Sequence, residues 1–196
     1  MVALAPAFKQ LNKEMDMRDI GQSFCLALCA GVMTLASAQA LANEIHGSLD
    51  GEEREWHVVT HAEGSTANYH ELMPGMLNVT IQGHREEKFA TQGTLSIDFM
   101  VMQGSPSAAS VTYFPEASMV PHYGTETEVP IELEVLELEG DSGRAKGRVS
   151  TSLAYVESMQ SSHDAANSID LDVEFDVTLV REELEITESL MAIGAA

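Results

Sequence analysis

Apolar and polar residues alternate along most of the chain beyond residue 43. In residues 169–179 the apolar members of the alternation are Ile169, Leu171, Val173, Phe175, Val177 and Leu179. Because successive side chains of a strand point to opposite faces, this pattern predicts a strand with one apolar and one solvated face. A single apolar face is typical of antiparallel sheets, whereas parallel sheets are covered on both sides. The same alternation occurs in residues 77–81, 95–101 and 111–113.

Turn-forming residues separate these segments. Asp50-Gly51 lies between two short alternating runs and is a preferred pair for a two-residue hairpin turn of type I′. Pro74-Gly75 and residues 104–107 interrupt the chain at two further points. We expect an all-β fold, an antiparallel sandwich or flattened barrel of about nine strands. This domain is expected to span residues 43–181.

The two ends of the chain differ from this domain. Basic residues precede an apolar run at residues 24–35, and small residues follow it up to Ala42. The run is too short to span a bilayer but fits the core of a signal peptide. We therefore expect residues 1–42 to be a cleaved signal peptide and the domain to be secreted or periplasmic. Residues 182–196 are expected to form an acidic tail that is frayed or briefly helical.

The chain is strongly acidic, with 10 Lys+Arg against 31 Asp+Glu and a formal net charge of -21. This balance argues against nucleic acid and against an anionic membrane surface as direct partners. Both cysteines, Cys25 and Cys29, precede residue 43. The domain is therefore expected to lack disulfides, thiolate nucleophiles and cysteine-bound metals.

Residues 131–149 predict a hairpin whose register is set by charge. Glutamates alternate with apolar residues before residue 140, and three basic residues follow residue 143. The adjacent apolar residues Val135 and Leu136 indicate a β-bulge where the alternation changes phase. A four-residue loop at 140–143 would form three cross-strand charge pairs, each contributing about 0.2–1 kcal/mol. The expected pairs are Glu139 with Arg144, Glu137 with Lys146, and Glu134 with Arg148.

Gly140-Asp141-Ser142-Gly143 resembles the segment around the nucleophile of chymotrypsin-like serine proteases. The match ends at Arg144, where that family has a further glycine, and His61 would have to serve as the base. A hairpin loop explains the same four residues, and a catalytic triad is recognised by geometry rather than by one tetrapeptide. We therefore expect no catalytic residues and no enzymatic activity.

Histidines and acidic residues supply candidate metal ligands. His46 and His57 flank the Asp50-Gly51 turn and could approach each other across the hairpin. The acidic residues of segment 169–179 lie roughly 6.5–7 Å apart along one strand face, too far to surround a calcium ion. We expect neither a metal nor another cofactor. His122 and Tyr123, in the longest loop at residues 116–127, are the candidate ligand-contact residues.

These observations leave three functions open. The first is a non-catalytic binding or interaction module, whose partner would be a protein or a small ligand. The second is a carrier of a small molecule or lipid within a β-barrel cavity. The third is a hydrolase whose site has no recognisable motif. A packed interior with an exposed apolar patch would favour the module, and a large inner pocket would favour the carrier.

Overall fold

The computed structural model describes residues 43–62 and 64–183. Within them the chain forms strands and no helix, so the predicted all-β class is confirmed. The strands are β1 (Glu44–Leu49), β2 (Glu52–His57), β3 (Thr60–His61), β4 (Gly64–Ser65), β5 (Ala67–Met73), β6 (Met76–Gly83), β7 (Thr94–Met102), β8 (Ser105–Phe114), β9 (His122–Gly124), β10 (Glu132–Glu139), β11 (Ser142–Val156) and β12 (Asp164–Arg181).

The expected number of about nine strands is too low, because twelve strands are present in the described part. Three of them, β3, β4 and β9, have only two or three residues, too few to show an alternating pattern. The expected signal peptide and most of the expected acidic tail lie outside the described residues. No helix in the described part is long and apolar enough to cross a membrane.

Ten of these strands form one large sheet, in the order β10-β11-β9-β8-β7-β6-β5-β12-β1-β2, and β11 pairs in addition with β12. The sheet is mixed rather than wholly antiparallel, because β5 runs parallel to β12 at Asn68–Val180 and Tyr69–Arg181. The parallel pair has a local cause. β1 pairs with β12 only up to Asp176, so the last residues of β12 leave an edge on which β5 can pair.

The core lies on the inner face of this sheet. The predicted apolar face of β12 is confirmed over Leu171, Val173, Phe175, Val177 and Leu179, all of which are buried. Trp56 of β2 is fully buried and its Nε1 donates a hydrogen bond to the carbonyl oxygen of Gly93 at 3.0 Å. Large side chains thus fill the interior, as hydrophobic burial requires.

The β10–β11 hairpin has a different register from the one expected. Its turn has two residues, Gly140 and Asp141, because Gly140 takes a left-handed φ of 64° and places Glu139 opposite Ser142. Glu137 therefore lies opposite Arg144, and Glu132 lies opposite Arg148. The expected pairs Glu137–Lys146 and Glu134–Arg148 are wrong. The register also excludes the expected Glu139–Arg144 opposition, and the Glu139 side chain lies outside the described residues.

The predicted irregularity in this hairpin is present at a neighbouring position. The register shifts between Leu133 and Val135, which leaves Glu134 without an opposite residue. Glu134 instead forms an ion pair with Lys146. The bulge therefore turns one glutamate toward a lysine that faces Val135 in the backbone register.

Candidate functional site

A cleft of about 480 Å³ opens at one end of the sheet. One wall is β10, and the other is formed by the β5–β6 and β7–β8 turns, which are joined by a hydrogen bond from the Gln103 amide to the Gly75 carbonyl at 3.0 Å. The apolar side chains that line it are Tyr69, Leu77, Val101, Leu136 and Leu138. Because strands alternate, these residues continue the inner apolar face of their strands out to the surface.

Polar groups surround this apolar floor. Glu71 and Arg181 form an ion pair at 3.5 Å, and Glu137 also lines the cleft. The Tyr69 hydroxyl donates a hydrogen bond to the Gly140 carbonyl at 2.7 Å, which fixes the β10–β11 turn against β5. Burial raises the pKa of Tyr69; Arg181 opposes this shift and Asp141 adds to it. Tyr69 therefore stays protonated and acts as a hydrogen-bond donor.

An exposed apolar rim adjoins the cleft. It consists of Leu72, Met73, Met76 and Met102, at the β5–β6 turn and the end of β7. The exposed fractions of Leu72, Met73 and Met102 are 42%, 59% and 51%, and Met76 is half-buried. Contiguous exposed apolar side chains are typical of interaction surfaces, and methionine is common where such a surface must adapt to its partner.

The edge of β10 next to the cleft is a second feature of this end. β10 is the terminal strand of the ten-stranded sheet and pairs only with β11 among the described strands. Leu133, Leu136 and Leu138 pack against the core on its inner side. An unpaired edge presents backbone N–H and C=O groups to another strand. The cleft therefore combines an apolar floor with hydrogen-bonding backbone.

The outer face of β10, β11 and β12 carries charges of both signs. Arg144 donates two hydrogen bonds to Asp176, at 2.9 and 2.7 Å. Arg148 donates two to Asp172 at the same distances. The basic residues of β11 thus neutralise part of the acidic row on β12, in the bidentate geometry that arginine favours. This arrangement stabilises the register of the central strands.

These contacts make the contribution of Asp176 to the stability of the fold depend on pH. The hydrogen bond from Arg144 is the main cause that lowers the pKa of Asp176, helped by the charges of Arg144 and Lys146. A carboxylate whose pKa falls on folding contributes stability above its unfolded pKa, about 3.9. That contribution disappears as the pH falls through the lowered value.

We therefore expect the difference in free energy of unfolding between wild type and Asp176→Asn to be largest at neutral pH. It should vanish under acid conditions, where wild-type Asp176 is also neutral. Urea denaturation from pH 7 to pH 2 measures it. Asp170→Asn, which changes a carboxylate on the same strand for which no ion pair is found in the described part, is the control. A constant Asp176→Asn difference across this range would contradict the prediction.

The predicted contact residues His122 and Tyr123 lie at the opposite end of the sheet from the cleft, on β9. Tyr123 packs on Tyr155 with ring centroids 5.4 Å apart. His122 packs on Phe114, and its Nδ1 hydrogen-bonds with the Met119 carbonyl at 2.9 Å. Both rings are half-buried among neighbours. Their role in ligand contact stays a prediction.

The structure does not bring His46 and His57 together as a pair of ligands. His46 faces Glu55 in the register and approaches Glu174, at 3.7 Å. His57 faces Glu44 instead. One ligand atom from each of Glu44, Glu55 and His57 lies within 4.8 Å of the other two. Two oxygens and one imidazole nitrogen could hold a divalent ion such as Zn²⁺, but exposed acidic groups often cluster in this way without one.

The serine protease resemblance receives no support from the geometry. Ser142 begins β11 beside the two-residue turn, and His61 lies in the short strand β3. No hydrogen bond joins Ser142 to a histidine within the described part of the chain. The Ser142 carbonyl instead accepts a weak hydrogen bond from the Tyr69 hydroxyl at 3.4 Å. The tetrapeptide is a hairpin turn and the start of a strand.

Sequence reasoning missed the cleft and its rim. The available signal was the segment Met73-Pro74-Gly75-Met76, a two-residue turn flanked by two methionines. It predicts that Met73 faces Met76, but not that Met102 lies beside them. Comparison with known proteins finds no matching family model, no matching curated protein and no matching solved structure.

Proposed function

We propose that this chain is an exported, non-catalytic binding module that takes up an extended peptide segment at the cleft beside β10. The peptide's apolar side chains would occupy the cleft, and its basic side chains would lie among the acidic residues of β10. The observation that carries the proposal is the free edge of β10 along an apolar cleft with an exposed rim. Addition of a strand to a sheet edge is a recurrent mode of peptide recognition.

The pairing of the strands and the filled interior support binding at the end of the sheet rather than inside it. Pairings connect β12, β5, β6, β7, β8, β9 and β11, and β11 pairs again with β12. We interpret this circuit as a closed barrel rather than a sandwich. Trp56, Phe175 and Leu153 are among the large side chains that fill its core. The cleft is therefore the accessible apolar surface that this proposal uses.

The charges of the chain indicate the chemistry of the partner. The edge of β10 that is already paired meets Arg144, Lys146 and Arg148 of β11. Of these, Lys146 forms an ion pair with Glu134 of β10, so a basic side chain on a neighbouring strand can reach the acidic residues of β10. A formal net charge of -21 further favours a cationic partner by long-range attraction.

A pair of designed peptides tests the proposal. One alternates lysine with valine, and the other has glutamate at every lysine position. We expect the basic peptide to bind the full chain at least roughly tenfold more tightly than the acidic one, a difference of about 1.4 kcal/mol. Fluorescence anisotropy at two salt concentrations measures both, and attraction between charges weakens as salt increases.

Addition of positive charge at the rim provides the matched variants. Leu72→Lys/Met102→Lys places two cations on the rim beside the cleft and should weaken binding of the basic peptide at least roughly tenfold. Met119→Lys/Met159→Lys makes the same change in charge at exposed residues of the opposite end and should weaken it less. Equal affinity for the two peptides would contradict the proposal. So would equal loss in the two double variants when both fold like wild type.

A carrier of a small apolar molecule is the second candidate, because a cleft of about 480 Å³ lies within the size range of small-molecule sites. Binding of a naphthylamine fluorescent probe, which is a small apolar molecule, distinguishes the carrier from the peptide-binding module. Stoichiometric binding of the probe, weakened by Leu136→Ser and accompanied by no binding of the basic peptide, would replace the first proposal with the carrier. The hydrolase function has no observation in its favour among the described residues.

A further inference from the structure

Three methionines lie side by side across three neighbouring strands. Met73 of β5 faces Met76 of β6, and Met76 faces Met102 of β7. Directly opposite residues in antiparallel strands have Cβ atoms about 4.5–5.5 Å apart and share one face of the sheet. The outer two of these methionines are therefore separated by only one strand.

This row of methionines lies on the outside of the sheet. Val79 and Val101, on the inner face of β6 and β7, are buried, whereas Met73 and Met102 are more than half exposed. A bulge between Glu71 and Met73 gives β5 an extra residue at this point. The thioethers are thus not part of the core, and burial does not explain why methionine occupies all three positions.

Methionine is a soft sulfur ligand. Thioethers select monovalent copper over harder divalent ions, and three rotatable bonds allow each side chain to move its sulfur toward a common point. Residues 43–183 contain no cysteine that would compete. We propose that Met73, Met76 and Met102 form a surface site for a soft monovalent metal ion, Cu(I) or its analogue Ag(I).

A histidine in the next row supplies a further donor. His70 faces Asn78, which in turn faces Met100, one row inward along the same strands. The Nδ1 atom of His70 is enclosed and has no hydrogen-bond partner among the described residues. A buried polar atom without a partner is costly, and rotation of the imidazole toward the methionine row would give Nδ1 a partner in a bound metal ion. An imidazole beside thioethers is a donor set that suits copper.

Metal binding is measured by native mass spectrometry and by competition with a chromogenic Cu(I) chelator. The full chain is used with Cys25→Ser and Cys29→Ser, because thiolates would bind the same ions. We expect about one equivalent of Ag(I) or Cu(I) per chain and little affinity for Zn²⁺. In spectra of chains labelled at the methionine methyl groups, the signals of Met73, Met76 and Met102 should shift on addition of Ag(I).

Met73→Leu/Met102→Leu tests the ligands. Leucine keeps the apolar volume but removes sulfur, so the affinity for Ag(I) should fall at least roughly tenfold, which corresponds to about 1.4 kcal/mol. Met119→Leu/Met159→Leu removes two exposed thioethers from the other end of the sheet and should bind Ag(I) like the parent. Equal affinity of the two double variants, or shifts spread evenly over all methionines, would overturn the proposal.

The metal-binding proposal and the peptide-binding proposal can be tested separately. Leu136→Ser changes the cleft wall that the peptide would contact but removes no methionine, so it should bind Ag(I) like the parent even when it binds the basic peptide more weakly. A chain that binds Ag(I) at the methionine row but no peptide would support the metal site and contradict the proposed function.

Discussion

Trp56→Ala is expected to lower the free energy of unfolding by about 3–5 kcal/mol. The Trp56 ring is fully buried, and its Nε1 donates to the carbonyl of Gly93. Gly83 of β6 approaches it so closely that an added Cβ would lie 2.6 Å from the Cβ of Trp56. The neighbours are therefore packed around this ring. Its removal leaves a cavity and an unsatisfied backbone oxygen.

Trp56→Phe separates these two effects. It keeps an aromatic ring in the core but removes the hydrogen bond to Gly93, so we expect a smaller loss than for alanine. Urea denaturation followed by far-ultraviolet circular dichroism gives both values. A loss below about 1 kcal/mol for Trp56→Ala would mean that this part of the core can collapse around the gap.

Gly47→Ala is expected to destabilise the domain by about 3 kcal/mol or more, since a strained φ alone costs about 1–3 kcal/mol. Gly47 has a φ of 151°, and a Cβ there would lie 2.1 Å from the Asp172 carbonyl oxygen and 2.7 Å from the Val173 Cα. Both contacts are with backbone of β12, which no side-chain rotation can relieve. The variant must therefore displace β1 from the central strand.

Gly51→Ala is the matched comparison. Gly51 also has a positive φ, of 77°, but an added Cβ would meet nothing within 4 Å. We expect it to cost about 1 kcal/mol, the strain of the turn alone. Thermal unfolding of both variants isolates the contribution of the clash. Similar melting temperatures for the two would show that β1 and β12 can separate at Gly47 without cost.

The alternating pattern predicted the strands well where they are long. Residues 169–179 belong to β12 with the expected apolar face inward, because alternation records the burial of one side of a strand directly. It could not predict β9, whose three residues are too short for a period. Nor could it predict the parallel pairing of β5 with β12, which depends on where β1 ends.

The register of the β10–β11 hairpin shows why charge patterns alone are weak predictors of strand register. Three opposite-charge pairs could be formed by a four-residue loop, but each contributes at most about 1 kcal/mol. A four-residue loop would shift the pairing by two residues and keep the leucines on the same face, so leucine burial does not distinguish the two registers. The left-handed φ of 64° at Gly140 closes a two-residue turn instead, which places Leu138 opposite Gly143 and Leu136 opposite Ala145. In this register Arg144 and Arg148 form ion pairs with acidic residues of β12 rather than of β10.

The candidate site was largely inaccessible to sequence reasoning because it depends on long-range pairing. Pro74-Gly75 indicates the contact of Met73 with Met76, but Met102 reaches them only through the pairing of β6 with β7 across residues 84–93. The cleft likewise needs β10 to lie opposite two turns that are distant in sequence. Sequence analysis named an exposed apolar patch as the observation that would favour a binding module, but it predicted neither the presence of such a patch nor its position.

The central position of β12 determines the order in which the chain can fold during synthesis. β1 pairs with β2 and with residues 171–176, so its second pairing can form only when nearly all of the domain has been translated. β5 and β11 also depend on β12, and contacts between such distant residues form slowly. The pairings of β1, β5 and β11 with β12 can therefore form only after residues 164–181 have been synthesised.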